Sequence, residues 1–366
     1  MPTPFVINGL GRLGRALVRV AMQRPDALSL MAVNDPADPR ALAHRLRRDS
    51  IHGRWSVPVR ASEVHASEGA LHLGEHTLPC FQHRNPEEIP WHRVQAEEPL
   101  VVVESSGAWT RGVDARRHLS PAVSTVVCAW NPLEEPADVD ATLCIGINEE
   151  HYDPRHHRVV SNASCTTNCI APVVKVLDDA FGLERGLVTN VHGVTNNQVV
   201  LDSAHPDPRR ARSALLHLIP TPSVAARAVG RVLPSLKGKL EGYGVRAPAP
   251  HGALVDVVAQ LRRQVTEEEL AAAFRAAAEG SLMGILGVED EELVSGDYIG
   301  ESRSAVVDLD LLQHVDGTLV RVVAWYDNEV GYAHRLADLL AHIGRRWAAV
   351  ATATEAVPAP ATAVTP

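Results

Sequence analysis

Apolar positions follow two regimes along the chain. Over the first 160 residues, short near-continuous apolar runs at 3–8, 28–33, 99–104 and 123–128 read as buried parallel strands. Between the first two, Ala16, Leu17, Val20 and Met22 share one face of a helix. A helix is expected at 41–48, an antiparallel pair at 54–59 and 70–78, and a last strand at 142–147. Strands alternating with helices predict a doubly wound α/β sheet. Farther on, 186–192, 239–245, 253–261, 305–309 and 319–325 read as strands, the last four longer and more regularly alternating. They predict an α+β unit on a mostly antiparallel or mixed sheet. Residues 266–279 open Thr-Glu-Glu-Glu, a capped helix start, and 336–347 form a final helix.

The first apolar run ends in Gly9-Leu-Gly-Arg-Leu-Gly14, a helix follows, and Asp35 lies 21 residues past the last glycine. In that setting the glycines let backbone approach a pyrophosphate and the helix N-terminus holds its charge. Asp35 is placed to accept hydrogen bonds from a ribose. Residues 1–164 are therefore expected to form a Rossmann dinucleotide-binding domain, completed by a helix within 329–349. The catalytic domain is expected at 165–328, and 350–366, Ala, Thr, Val and Pro without periodicity, as a disordered tail. Ligand should cross the carboxyl ends of the parallel strands, where Asp35, Ser105, Ser106, Cys128 and Ala129 fall.

Cys165 stands where an amphipathic helix carrying Ile170, Val173, Val174 and Leu177 begins. A cysteine in a first helical turn faces unpaired N–H groups and the positive end of the dipole, and both favour the thiolate. Ser164, Thr166, Thr167 and Asn168 surround it with hydrogen-bonding groups that a structural cysteine does not need. His192 ends a strand 27 residues later and is a candidate base. Thr195, Arg209, Arg210, Arg212 and Arg246 add hydroxyl and cationic groups, which point to an anionic, phosphorylated substrate.

Charge narrows the partners. The chain of 366 residues carries a formal charge of −9, and its pI is near 6.0, giving no footprint for nucleic acid or an anionic membrane. Five cysteines without framework spacing fit a reducing compartment. Residues 1–5 run straight into a strand, leaving no room for a signal peptide, and no run approaches a membrane span, so a soluble cytoplasmic protein is expected. His151, Asp153, His156 and His157 cluster without ligand spacing, and Cys165 with Cys169 lacks a second pair. No metal site is expected.

Ser161-Asn-Ala-Ser-Cys-Thr-Thr-Asn-Cys169 closely resembles the active-site signature of phosphorylating glyceraldehyde-3-phosphate dehydrogenases. So do Asn8-Gly-Leu-Gly-Arg-Leu-Gly-Arg15, Asp207-Pro-Arg-Arg-Ala-Arg212, Leu236-Lys-Gly-Lys-Leu240 and Trp325-Tyr-Asp-Asn-Glu329, in the family's order. The resemblance implies that Cys165 forms a thiohemiacetal with an aldehyde and then a thioester, with His192 assisting hydride transfer to the nicotinamide. It implies that Thr195 and Arg246 hold the substrate phosphate, and that Ser164, Thr166, Arg210, Ser223 and Val224 surround the attacking phosphate. Gly9, Gly11, Arg12, Leu13, Asp35, Arg84, Ser106 and Cys128 match cofactor-contacting positions. Asn328 matches the residue fixing the carboxamide, and Tyr332 the ring beside it. It further implies a homotetramer whose loops, here about 193–213, reach toward a neighbour's cofactor site.

Departures ring that site. Where the family reads Pro-Thr-Thr-Thr-Gly-Ala-Ala, this chain has Pro220-Thr-Pro-Ser-Val-Ala-Ala226. Val224 replaces a glycine, and Pro222 removes a backbone donor. The family's aromatic before Thr195 is Val194, its Asn-Glu-Trp-Gly-Tyr is Asn328-Glu-Val-Gly-Tyr332, and Cys128-Ala-Trp130 stands for Ser-Ala-Pro. Asp35 favours NAD, whereas Ser203-Ala204 resemble members that also accept NADP; NAD preferred with NADP tolerated is the expectation. Three further readings stay open. Asp138-Val-Asp-Ala-Thr142 and Leu177-Asp-Asp-Ala-Phe-Gly182 are similar to erythrose-4-phosphate dehydrogenases, which use water as acyl acceptor. Asp49-Ser-Ile-His-Gly-Arg-Trp55 resembles an arsenate-using branch. The third is a binding or regulatory homologue without turnover, against which Cys165, His192, Thr195 and Arg246 all argue.

Overall fold

The computed structural model describes residues 1–65, 68–132 and 137–355. Two sheets organise it. The first runs in the order Ala141–Thr142, Val159–Ser161, Val123–Cys128, Leu100–Glu104, Thr3–Asn8, Leu28–Asn34, His76–Phe81, Glu68–Leu73, Val59–His65. It is parallel as far as His76–Phe81 and antiparallel beyond. The chain leaves Thr3–Asn8 toward one edge and later returns to its other side through Leu100–Glu104. That reversal opens a crevice at the strand ends, where Asn8 is in register with both Asn34 and Glu104.

Sequence patterning and structure part at two places in this half. The region expected as strands at 54–59 and 70–78 is a three-stranded meander starting at Val59, with its second turn at Gly74 (φ +61°). The strand expected at 142–147 shrinks to Ala141–Thr142, because Asn148 folds back. Its Oδ1 accepts from Cys144 N and its Nδ2 donates to Thr142 O, making a turn.

The second sheet runs Ile219–Pro222, Leu240–Arg246, Leu183–His192, Ala253–Leu261, Leu319–Tyr326, Ala305–Asp308, Leu286–Glu289. It is mixed: Leu183–His192 lies parallel to Leu240–Arg246 and antiparallel to Ala253–Leu261. Strict burial alternation along Ala253–Leu261 shows one face turned to the core. Helix Cys165–Phe181 covers that face, burying Ile170, Val173, Val174 and Leu177 in one cluster with Val188, Val255, Val257 and Val322. Burying each such side chain stabilises by about 1.5–3 kcal/mol.

The last helix, Val330–Glu355, carries the chain back to the first sheet, with Leu336, Leu340 and Ile343 in the same cluster as Phe5, Ile7 and Leu17. It starts earlier and ends later than 336–347. Asp327 Oδ1 accepts from Glu329 N and Val330 N at its start, and the segment expected as tail continues as helix to Glu355. Residues 356–366 lie outside the described residues. Cys165 packs against both major cores, so the candidate nucleophile sits on their seam. Among the described residues no helix is long and apolar enough to cross a membrane.

Candidate active site

The turn that aims Cys165 is built from polar residues. After strand Val159–Ser161, Ala163 adopts φ +56°, a left-handed conformation that costs a non-glycine residue roughly 1–2 kcal/mol. Two contacts hold it: Ala163 N donates to Ser161 Oγ at 3.0 Å, and Tyr332 OH donates to Ala163 O at 2.8 Å. Ser164 then caps the helix, its Oγ accepting from Thr167 N at 3.1 Å and from Asn131 Nδ2 at 3.0 Å. Cys165 is thereby the first helical residue, part-exposed to the cleft.

His192 faces it, with Nε2 3.9 Å from Cys165 Sγ. The other ring nitrogen, Nδ1, lies 2.7 Å from Gly193 O, a partner that can only accept, so Nδ1 carries the proton and Nε2 presents a lone pair to the thiol. Burial, reinforced by the charge of Arg246, pushes the imidazole down to about 3. Crowding by protein pushes the Cys165 thiol up, against the downward pull of Arg246 and Thr166. Helix position alone favours a thiolate, whereas burial outweighs Arg246 and Thr166 and holds the thiol up beside an imidazole held down.

Strand register brings the cation to the same place, since His192 is paired with Arg246 on the neighbouring parallel strand. Arg246 Nη1 donates to Gly193 O at 3.3 Å, its Nε is buried without a partner, and burial lowers its pKa. A largely buried guanidinium with an unused N–H beside a thiol has the chemistry to bind an anion. Thr195 lies in the following loop, where its N and Oγ1 both donate to Gln198 Oε1 at 2.9 Å.

Other predicted substrate groups are engaged internally. Thr166 Oγ1 lies 2.8 Å from Tyr326 OH and accepts from Asn190 Nδ2 at 3.2 Å, a buried triad closed by Tyr326 OH to Asn190 Oδ1 at 3.1 Å. Arg210 donates from Nε to Thr221 Oγ1 at 2.8 Å and pairs with Asp207 at 3.5 Å. Ser223 Oγ accepts from Ala225 N at 3.3 Å. Val224 precedes helix Ala225–Val232 with φ −94°, an ordinary conformation for any L-residue. The glycine this position lacks is not needed for the backbone, and the difference is a side chain, not a strained turn. Pro222 ends an edge strand, where a missing N–H is tolerated.

At the first sheet each motif glycine answers to a different neighbour. A Cβ on Gly9 would lie 2.4 Å from Ser106 Cα and one on Gly14 2.1 Å from Gly9 O, so both allow close backbone approach. Gly11, at the N-terminus of helix Arg12–Ala21, meets nothing within 4 Å, leaving room for a ligand. Asp35 accepts from Leu10 N at 2.8 Å and Ala37 N at 2.9 Å, tying the glycine loop to the second strand. Leu13 packs on the core, Arg84 is exposed at the rim, and Ser106 donates from N and Oγ to Glu104 Oε1. Arg12 is drawn to Glu329 and Asp49. Cys128 is fully buried in a cluster with Val102 and Val159, which raises its thiol pKa and leaves its thiol in the core. Asn328 keeps a buried Oδ1 with no partner, and Tyr332 is buried beneath the turn at Ala163.

Sequence reasoning missed Asn131, Asn190 and Tyr326, which orient Ser164 and Thr166, and His251, which reaches Asp327 at 2.8 Å. Asn190 lies two residues before His192 on the same face of its strand, which was the available signal for one of them.

Comparison with known proteins meets this geometry. Residues 3–112 match the family model for the glyceraldehyde 3-phosphate dehydrogenase NAD binding domain, and 164–328 match the model for the C-terminal domain of the same enzymes. The chain is 45% identical over 340 residues to glyceraldehyde-3-phosphate dehydrogenase 1 of Bacillus subtilis, covering 93% of this chain and 98% of that protein. It is equally similar, at the same coverage, to glyceraldehyde-3-phosphate dehydrogenase of Geobacillus stearothermophilus. The Streptomyces coelicolor enzyme of that name is 42% identical over 342 residues, again 93% and 98%. With both domain models and near-full-length relatives agreeing, the chain belongs to the glyceraldehyde-3-phosphate dehydrogenase family.

Proposed function

We propose that this NAD-dependent oxidoreductase oxidises glyceraldehyde 3-phosphate to an acyl phosphate through a Cys165 thioester. The observation that carries the reading is the Cys165 Sγ to His192 Nε2 approach of 3.9 Å, beside the unpartnered Nε of Arg246. His192 Nε2 takes the thiol proton as sulfur adds to the aldehyde carbon, giving a thiohemiacetal. The imidazolium returns that proton to the alkoxide oxygen, and the neutral imidazole then removes the hydroxyl proton as the carbon is oxidised to the thioester. Bound NAD accepts the hydride in that oxidation. Arg246 and Thr195 anchor the substrate phosphate, and inorganic phosphate near Ser223 and Arg210 attacks the thioester. The open space at Gly11 and the orphaned Oδ1 of Asn328 suit a pyrophosphate and a carboxamide.

A homo-oligomer, in this reading a tetramer, fits the apolar side chains exposed at Val200, Leu201, Leu215, Leu216 and Leu218. Five free cysteines suit a cytoplasmic setting.

One observation favours a second acceptor. Arg210 is engaged by Thr221 and a valine side chain follows Ser223 at 224, which suits water in place of phosphate, with erythrose 4-phosphate as substrate. One assay series separates these readings: NADH formation from each aldehyde phosphate, with and without phosphate or arsenate, by the parent and by Cys165→Ser. Phosphate-stimulated turnover of glyceraldehyde 3-phosphate, lost in Cys165→Ser, is expected. Turnover of erythrose 4-phosphate indifferent to phosphate overturns the first acceptor, and full activity in Cys165→Ser overturns the thioester.

A further inference from the structure

Where the nucleotide-binding half meets the catalytic sheet, two histidines and a glutamate converge. His52 follows the first half's Asp49, His251 precedes strand Ala253–Leu261, and Glu329 follows strand Leu319–Tyr326. One ligand atom from each lies within 4.8 Å of the others. His52 Nε2 is 3.0 Å from Glu329 Oε2, and His251 Nδ1 is 4.0 Å from Glu329 Oε1. We propose that His52, His251 and Glu329 bind one divalent transition-metal ion of the zinc and cobalt type, linking the two halves.

Three features support this beyond the composition of the set. His251 Nδ1 is buried with no hydrogen-bond partner, although the side chain is only 1% exposed, and it points toward Glu329. Leaving a buried ring nitrogen unpaired is costly, and a metal lone-pair bond satisfies it. Behind it, His251 Nε2 lies 2.8 Å from Asp327 Oδ1, an ion-pair contact without hydrogen-bond geometry, which places a carboxylate where it supports a ligating histidine. Glu329 N and Val330 N hold that carboxylate in turn. The local charge also permits a dication: Asp49, Asp327 and Glu329 outnumber Arg12 and Arg15.

Geometry asks for little movement. A tetrahedral ion with bonds of ~2.1 Å separates its donors by about 3.4 Å. The 3.0 Å pair, to Oε2, is already near that spacing, and His251 Nδ1 stands 4.0 Å from Oε1, about 0.6 Å beyond it. Arg12 engages both Glu329 oxygens; Oε1 keeps a second lone pair, and that of Oε2, now facing His52 Nε2, is released when His52 becomes a ligand. Two imidazoles and one carboxylate favour zinc-like ions over magnesium or calcium. Water completes the coordination.

The test uses the full chain carrying Cys165→Ser, so that the reactive thiol cannot supply a competing site. After chelator treatment it is titrated with Co²⁺. One saturable Co²⁺ per chain is expected, with visible d–d absorption and no sulfur charge-transfer band, and with a rise in Tm. His251→Asn and, separately, His52→Ala should each weaken Co²⁺ binding about 10-fold or more and remove the Tm rise. His52 is partly exposed, so if His251→Asn does not fold, His52→Ala decides alone. Absence of a saturable site in the Cys165→Ser protein, or binding unchanged by these substitutions, overturns the proposal. Neither result bears on the thioester, which this protein cannot form.

Discussion

The two sides of the cleft differ in what their polar atoms are doing. On the thiol side, His192 Nε2 presents its lone pair to sulfur and Arg246 Nε has no partner. On the side that the family resemblance assigns to the attacking anion, Ser223 Oγ accepts from Ala225 N and Arg210 is anchored on Thr221. A buried donor left unused costs stability, so it persists where a ligand completes it. Arg210 must break its bond to Thr221 to take up an anion, whereas Ser223 still has its hydroxyl hydrogen to donate. On the thiol side Arg246 Nε is open, although Thr195 must first release Gln198.

Removing the Arg246 cation gives the largest expected effect. A hydrogen bond to a charged group is worth about 1.5–3 kcal/mol, so Arg246→Ala should lower kcat/KM about 10- to 100-fold. It should also move the pH profile of Cys165 alkylation by iodoacetamide to higher pH. The sign follows from the charge: Arg246 stabilises the thiolate and pulls the thiol down, so its loss lets burial raise the thiol further. Arg246→Lys should restore much of the profile while leaving KM for the aldehyde phosphate raised, since Lys lacks the guanidinium fork. A profile unmoved in Arg246→Ala breaks the thiol-side account.

The acceptor side is tested by a gain. At Val224, φ is −94°, so Val224→Gly keeps the turn and removes only the side chain. Relief of about 1 kcal/mol of crowding corresponds to roughly a fivefold lower KM for phosphate in steady-state assays. An unchanged phosphate KM assigns the difference to the engaged Arg210 instead, which Thr221→Val probes by releasing it.

Legibility in the sequence followed periodicity. The glycine loop with its flanking strands, the helix opening at Cys165 and the long strands of the second sheet all stand in the chain's own pattern, because buried faces demand it. So did the capping box at Thr266 and Glu269, a purely local exchange of hydrogen bonds. The juxtaposition of His192 and Arg246 was not legible. It comes from a parallel pairing between strands more than forty residues apart, and register between distant strands leaves no local mark. The upward push on the Cys165 thiol was hidden for the same reason: helix position is local, whereas desolvation is set by two cores meeting at Cys165. The His52, His251 and Glu329 cluster draws on three distant segments and matched no spacing rule.

The smallest expected effect concerns the strain beneath the nucleophile, and it sharpens the contrast most finely. Ala163 is held at φ +56° by the Tyr332 hydroxyl, whereas no such left-handed residue is found at Val224. Tyr332→Phe keeps the ring and deletes one neutral hydrogen bond of about 1 kcal/mol, so kcat should fall about 3- to 10-fold as Cys165 loses its aim. If the hydroxyl acts through Ala163, KM for NAD stays unchanged in that variant. Ala163→Gly added to it should recover part of the lost kcat, because glycine adopts the left-handed turn without the Tyr332 contact. A raised KM for NAD, with no rescue by Ala163→Gly, would instead place the tyrosine's contribution at the cofactor.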